Sequence, residues 1–233
     1  MSSLNFNSFR WITFDCYGTL IDWETGIKAA LRPILSAHGV SLDDEPLLDL
    51  YGDLEAELEA ESSGYTPYRD VLAGVVAGIG KRLAFTPTRD ELYSLAQSLR
   101  NWRPFPDTIA ALEKLKRKYK LGIISNIDND LFLETARLLE VPFDEIVTAQ
   151  QSRSYKPSPK IFQLAFERMG VPKGQILHAA QSIYHDVVPS RALGIASVWV
   201  NRRSARKGIG ATKLASAADL EVADLQALAD MAA

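Results

Sequence analysis

Asp15 closes an apolar run, Trp11-Ile12-Thr13-Phe14, and is followed by Cys16-Tyr17-Gly18-Thr19-Leu20. A carboxylate at a strand end, beside a turn rich in free N–H groups, is both exposed and oriented. Such a group can attack an electrophilic carbon or phosphorus. The competing reading is a turn residue that only satisfies backbone donors, and the local sequence leaves both open.

Three later segments carry partners for a nucleophile. Ile123-Ile124-Ser125-Asn126 sets a hydroxyl and an amide after an apolar strand. These could hold a substrate carboxylate or the attacked oxygen, or cap a helix beginning near Asn129. Tyr155-Lys156-Pro157-Ser158-Pro159 places a lysine before a rigid turn and a helix start. That lysine is either solvated surface or the cation that keeps a carboxylate ionised, and it could pair with Asp186. Gln181-Ser182-Ile183-Tyr184-His185-Asp186 follows another apolar strand. Asp186 could orient Lys156 or activate water, or cap the helix from Val187. His185, its neighbour, points elsewhere and reads as a surface or packing residue.

The elements that must bring these residues together follow from periodicity. Phe9 to Asp15 predicts a buried strand. From Trp23 to about Arg100 the spacing is helical, with stripes Ile27/Leu31/Ile34/Leu35, Leu47/Leu50/Leu54/Leu58, Val71/Val75/Val76/Ile79 and Leu92/Leu95/Ala96/Leu99. Acids lie between the leucines of the second stripe, and Gly74, Gly78 and Gly80 weaken the third. Pro104 and Pro106 mark a return linker at Asn101 to Asp107. Helices Thr108–Lys118, Asn129–Leu139, Ser158–Met169 and Val187–Leu193 then alternate with strands Leu121–Ser125, Glu145–Thr148, Gln175–Ala179 and Ile195–Val200. A last helix runs from about Val222 to Met231. Alternation implies right-handed crossovers and a parallel sheet covered on both faces. The expected fold is α/β: a Rossmann-like core of residues 1–21 and 104–233, with an all-helical cap, 22–103, inserted after the first strand. Ligands of such sheets bind at the carboxyl ends of strands, near the switch in strand order. That places Asp15, Ser125, Asn126 and Asp186 around one pocket.

Composition sets limits. The 233 residues are 47% hydrophobic and 24% charged, with net charge −3, which is ordinary for a globular protein and gives no electrostatic case for nucleic acid or membrane binding. One cysteine, Cys16, and three histidines without ligand spacing argue against a structural zinc site. No apolar run reaches the roughly 20 residues of a membrane span, and no basic-then-apolar start reads as a signal peptide. A reducing, cytoplasmic setting is expected. Asn201 to Lys207 carries Arg202, Arg203, Arg206 and Lys207. It reads as a solvated loop, with an anionic substrate or a partner chain, such as a second copy, as the alternatives.

Together, Asp15, Ser125, Lys156 and Asp186, in that order and spacing, resemble the four motifs of the haloacid dehalogenase superfamily. The resemblance implies a Rossmann-like core with a mobile cap and an aspartyl nucleophile. Phosphatases of that superfamily carry Asp where this chain has Tyr17 and Ser182, so the resemblance disfavours Mg²⁺-dependent phosphate ester hydrolysis. Asp-x-Tyr-Gly-Thr, with Ser-Asn in the second motif, looks like the (S)-2-haloacid dehalogenase branch. That branch implies metal-free displacement of halide by Asp15, then hydrolysis of the ester, with Lys156, Ser125, Thr19 and backbone N–H groups supplying electrostatic stabilisation. Three of its expected residues differ here: an arginine near Asp44 to Leu48 is absent, and Ile183 and Phe162 replace Asn and Tyr. Phe14–Gly26, Asn101–Thr108, Ser125–Asp128, Ser182–Asp186 and Gly208-Ile209-Gly210-Ala211-Thr212 are also similar to L-azetidine-2-carboxylate hydrolase and its relatives, which open a strained ring beside a carboxylate.

The resulting expectation is a hydrolase of small 2-substituted carboxylic acids. A phosphomonoesterase and a non-catalytic binding protein are the alternatives. The candidate catalytic residues are Asp15, Lys156, Asp186, Ser125 and Thr19. Tyr17, Asn126, Cys16, Trp23 and Trp102 are candidates for substrate contact, with hinge or core packing the competing reading for both tryptophans. No metal and no cofactor are expected.

Overall fold

The computed structural model describes residues 4–61, 65–203 and 218–233. Its centre is β1, Trp11–Phe14, whose four side chains are all buried. Successive strand side chains point to opposite faces, so burial of all four means that both faces of the sheet are covered.

Four helices follow β1 before the next strand: α1 Trp23–Ala37, α2 Asp44–Glu61, α3 Tyr68–Arg82 and α4 Arg89–Ser98. Their apolar stripes meet one another, with Ile27, Leu31, Leu47, Leu54, Val75, Ile79 and Leu95 buried. The glycines that weaken α3 as an isolated helix serve its packing. A Cβ at Gly74 would lie 2.9 Å from Leu58, and one at Gly78 would lie 2.7 Å from Leu54, so α2 and α3 approach closely there.

The chain then alternates. The order is α5 Thr108–Lys116, β2 Lys120–Ser125, α6 Asn129–Leu139, β3 Glu145–Thr148, α7 Ala149–Ser152, α8 Pro159–Met169, β4 Ile176–Ala180, α9 Val188–Ala192, β5 Ala196–Val200, β6 Leu220–Val222 and α10 Leu225–Ala232. The six strands are parallel in the order β3-β2-β1-β4-β5-β6. The order reverses between β1 and β4, which is the place where open parallel sheets bind ligands.

Three details differ from the pattern in the sequence. Leu220–Val222 is a strand, and the last helix starts only at Leu225, because the Asp224 side chain caps it by accepting from the N–H of Ala227. Ala149–Ser152 forms a short helix. Ile183–Val187 is a π-helical turn that leads into α9, a form often found at functional sites.

The two chain crossings between sheet and helical insertion run side by side. Asp22 donates to Arg103 O, Phe105 donates to Leu20 O, and the Thr108 hydroxyl donates to Leu20 O. Further contacts tie the insertion to the sheet layer. Asp128 accepts from the N–H groups of Tyr68 and Arg69 at 3.0 Å each, so a core carboxylate caps the first turn of α3. Arg203 pairs with Glu24 and Glu45.

Arg202 and Arg203 are thus not solvated. Their side chains are 8% and 9% exposed. Arg202 donates to Thr19 O and Asp107 and lies over the Phe105 ring, holding the turn after Asp15 against the linker. Arg206, Lys207 and Gly208–Thr212 lie outside the described residues.

Candidate active site

The site is built on the carboxyl ends of β1, β2 and β4. Asp15 follows β1, and its N–H donates to Ala179 O on β4. The chain then turns sharply: Leu20 and Ile21 both donate to Cys16 O, and Gly18 adopts φ +87°, a conformation open to glycine. This turn brings Thr19 back over the carboxylate. The Thr19 hydroxyl donates to Asp15 Oδ2 at 2.9 Å and accepts from the N–H of Gln181.

Lys156 occupies the middle of the site. Its ammonium donates to Asp15 Oδ1 at 2.8 Å, Asp186 Oδ1 at 2.7 Å and Ile124 O at 3.1 Å. Three N–H donors meet three acceptors, which saturates the group. Asn126 fixes the lysine backbone on both sides, accepting from Lys156 N–H at 2.7 Å and donating to Lys156 O at 3.3 Å.

Asp186 sits in the π-turn with no exposure. The cap of that turn is Ser182, whose hydroxyl accepts from His185 N–H. Asp186 is therefore free for the lysine, and for His178 Nε2 at 3.0 Å. Four buried side-chain atoms have no partner among the described residues, and two of them are in this site: Ser125 Oγ and Asp186 Oδ2.

The electrostatics follow from this packing. Burial pushes the Asp15 carboxyl above its usual range, while Lys156 and Thr19 pull it back. Asp186 is held below the usual range: burial opposes ionisation, but Lys156 and His178 outweigh it. Lys156 is raised because two carboxylates overcome its desolvation. One ammonium thus keeps two buried acids in a single hydrogen-bonded cluster.

Of the residues expected from the sequence, Asp15, Thr19, Lys156 and Asp186 meet in this cluster, and Ser125 lies at the end of the neighbouring strand. The residues expected to touch substrate are placed differently. Cys16 is fully buried in the hydrophobic core, and burial pushes its thiol up. The Tyr17 hydroxyl bonds Thr135 on α6 at 2.7 Å, and its ring meets Trp102 edge-on. Trp102 is 4% exposed and packs so closely on Gly26 that a Cβ there would lie 2.4 Å from the indole. Cys16 and Trp102 therefore pack at the base of the insertion, with the half-buried Tyr17 held against Trp102 and Thr135. Asn126 serves the lysine backbone. Trp23 is half-buried between Gly18 and the Tyr51 ring. Arg69 pairs with Asp128 and Asp130.

Two residues not foreseen are Glu55 and Glu59, on one face of α2. Glu55 accepts from the hydroxyls of Tyr51 and Tyr68, and Glu59 accepts from Asn126 Nδ2. Burial raises both carboxyls, and the Asp15 charge adds to the effect on Glu55. Their signal was a spacing of four inside the leucine stripe, which reads as a solvated face when no partner element is known.

His185 also belongs to the site margin. Its Nε2 lies 3.9 Å from Glu59. It lines a cavity of about 410 Å³ together with Glu59, Tyr155, Lys156 and Tyr184. Asp15 does not line that cavity, but a tenth of its side chain is accessible. Burial lowers the His185 imidazole to about 4. Between pH 4 and about 6.5 the unfolded chain therefore binds a proton at this position that the folded chain does not, so this residue makes stability rise with pH across that window. His185→Asn is expected to flatten that part of the curve, measured by urea unfolding at half-unit pH steps.

These features define a Rossmann-like sheet with an aspartate, a lysine and a second aspartate at its switch point. The family model for haloacid dehalogenase-like hydrolases matches residues 9–180, and the chain belongs to that family. Glyceraldehyde 3-phosphate phosphatase of Methanothermobacter thermautotrophicus is 30% identical over 82% of this chain and 84% of its own. (S)-2-haloacid dehalogenase H-109 of Pseudomonas putida is 25% identical over 90% and 93%. A 36% identical match to haloacid dehalogenase-like hydrolase domain-containing protein 3 of Danio rerio spans only 46% of this chain and 45% of that one. Among solved structures, L-2-haloacid dehalogenase from Xanthobacter autotrophicus with chloropropionic acid covalently bound superposes with a TM-score of 0.80, at 20% identity over 96% of this chain and 98% of that one.

Some members of so broad a family use a divalent ion. The donor set here does not fit one. Mg²⁺ requires several oxygen ligands in octahedral array. Among the described residues no group of three or more acidic, histidine or cysteine side chains is placed to hold a metal, and the Lys156 ammonium stands between Asp15 and Asp186. No described helix is long and apolar enough to cross a membrane.

Proposed function

We propose that this chain hydrolyses small 2-substituted carboxylic acids, (S)-2-haloacids foremost, through a covalent ester on Asp15. The observation that carries this reading is the Asp15 carboxylate, fixed at the switch point by Lys156 and Thr19 and still reachable. Residues 1–21 and 104–233 act as the catalytic core and 22–103 as the cap. The setting is a reducing cytoplasm, in keeping with one buried thiol.

In the first step an Asp15 oxygen attacks the carbon beside the substrate carboxylate. The carbon–halogen bond breaks, halide leaves with its electron pair, and the carbon inverts. Ser125 Oγ, buried and unpartnered among the described residues, donates to the substrate carboxylate. In the second step water adds to the Asp15 carbonyl carbon, with Asp186 accepting its proton. Lys156 balances the oxyanion, a term that in other enzymes amounts to about 10²–10³ in rate per donor. The 2-hydroxy acid then departs. Neither step requires an ion at this site.

The covalent ester makes a specific demand. In a single turnover of 2-chloropropionate in ¹⁸O-water with chelator, the label is expected in the Asp15 peptide, because water opens the ester at the aspartyl carbon. Halide release with the label only in the hydroxy acid would mean direct attack by water and overturn the mechanism.

One observation favours a second reading. The insertion supplies Glu55 and Glu59 to this region, framed by Tyr51 and Tyr68. Carboxyls beside aromatic rings suit a substrate bearing a cationic nitrogen. The same Asp15 attack would then open a ring such as azetidine-2-carboxylate, and turnover of that compound above 2-chloropropionate would decide for it.

A further inference from the structure

His178 has no part in the two steps above, yet it is the most constrained histidine in the chain. It lies in β4, a strand buried along its whole length, and is 2% exposed. Both ring nitrogens are engaged: Nδ1 lies 2.8 Å from Thr13 Oγ1 on β1, and Nε2 lies 3.0 Å from Asp186 Oδ1. The Phe162 ring closes the remaining side edge-on.

The tautomer follows from the partners. Asp186 is ionised and can only accept, so Nε2 carries a proton. Nδ1 then accepts from the Thr13 hydroxyl, which is only 3.4 Å from its alternative acceptor, Leu177 O. A hydrogen-bonded line runs Thr13–His178–Asp186–Lys156–Asp15 from the middle of the sheet to the nucleophile.

Its effect on Asp186 is specific. His178 and Lys156 both bond Oδ1, which leaves Oδ2 buried and without a partner among the described residues. Two donors on one oxygen fix the plane of the carboxylate and leave the other oxygen for a further donor.

We propose that His178 is a positioning residue for the second half-reaction, holding Asp186 so that Oδ2 receives the proton of the water that opens the Asp15 ester. This inference rests on the ester mechanism proposed above. The water oxygen bonds to the aspartyl carbon and its proton passes to Asp186. The acyl–oxygen bond to the product then breaks, and Asp186 returns the proton to the departing alkoxide. Asp15 emerges as a carboxylic acid and loses its proton to solvent. Halide departure, which moves no proton, does not draw on His178.

The test uses this whole chain, 2-chloropropionate, and the Asp15 peptide mass at timed quench. His178→Leu is expected to release one equivalent of halide per enzyme as a burst and then turn over on the order of 10²-fold more slowly, with the ester accumulating. His178→Gln, whose amide can donate to Asp186, is expected to restore most of the steady rate. The groups facing Asp186 are Lys156, His178, Asp15 and, from its own turn, His185. Loss of one donor should therefore move the acid limb of ester hydrolysis to higher pH. Should His178→Leu not fold, Thr13→Val, which frees the tautomer, is expected to raise the ester level above wild type. Equal slowing of burst and steady state, or wild-type behaviour in these variants, overturns the proposal. A wild type that releases no halide overturns the ester mechanism as well, so the two failures are distinguishable.

Discussion

Lys156→Met is expected to lower halide release at least on the order of 10³-fold and to destabilise the fold by about 3–5 kcal/mol at neutral pH. Methionine fills much the same space, so the loss is electrical. The ammonium bonds Asp15, Asp186 and Ile124 O in a pocket where the lysine is 2% exposed. Without it two buried carboxylates face each other, and the more easily protonated one, Asp15, takes a proton. A protonated Asp15 is no nucleophile.

The pH dependence of the stability loss carries a sign. Lys156 has a raised folded-state pKa, so its contribution is fully present below the unfolded value, about 10.4, and fades as pH rises through the folded one. Asp186 has a lowered folded-state pKa, so its contribution is present above about 3.9 and fades as pH falls through the folded one. The gap between wild type and Lys156→Met should be widest between those limits and narrow on either side, as urea unfolding would read. Lys156→Arg should not rescue activity, because a planar guanidinium cannot direct three donors from one point. A uniform gap across pH would refute this account.

The parallel sheet and the gathering of Asp15, Ser125 and Asp186 at the carboxyl ends of its strands were legible because they depend on local signals. Apolar runs that end in Asp15 or in Ser125-Asn126, and helices between them, dictate a parallel sheet with those residues at one edge. What stayed hidden depends on contacts between distant segments. Asp128 stands next to α6 in the sequence, yet its oxygens cap α3, sixty residues earlier in the chain. Arg202 and Arg203 read as solvated because nothing local names Thr19, Asp107, Glu24 and Glu45 as their partners. Asn126 reads as a group for substrate, and the peptide of Lys156 claims it. Glu55 and Glu59 look like the wet side of α2 until Tyr68 and Asn126 cover them. Periodicity tells which face of an element is apolar. It does not tell what a polar face meets when two layers close on it, and sites are built at such closures. For His178 a signal did exist: one imidazole inside Ile176-Leu177-His178-Ala179-Ala180 needs buried partners.

Asp15→Asn is expected to abolish turnover, by 10⁴-fold or more, while leaving a chain at least as stable as wild type near pH 7.5. The rate follows from nucleophilicity. An amide oxygen at position 15 can still accept from Lys156, but it carries no charge with which to displace halide. The ¹⁸O label at this peptide should vanish along with halide release. The stability follows from desolvation. Burial is the largest influence on Asp15 and acts against its charge. Its folded-state pKa lies above the unfolded one, so an ionised Asp15 costs stability at neutral pH, and the cost disappears below the unfolded value. Asparagine removes that cost, in line with the stability given up where an active site needs a buried charge. The gain should therefore be present at pH 7.5 and absent near pH 3. Parallel urea unfolding at the two pH values reads it. Equal stability of the two proteins at both would mean that Asp15 sits easily in its pocket, and the strain that makes it reactive would have to be sought elsewhere.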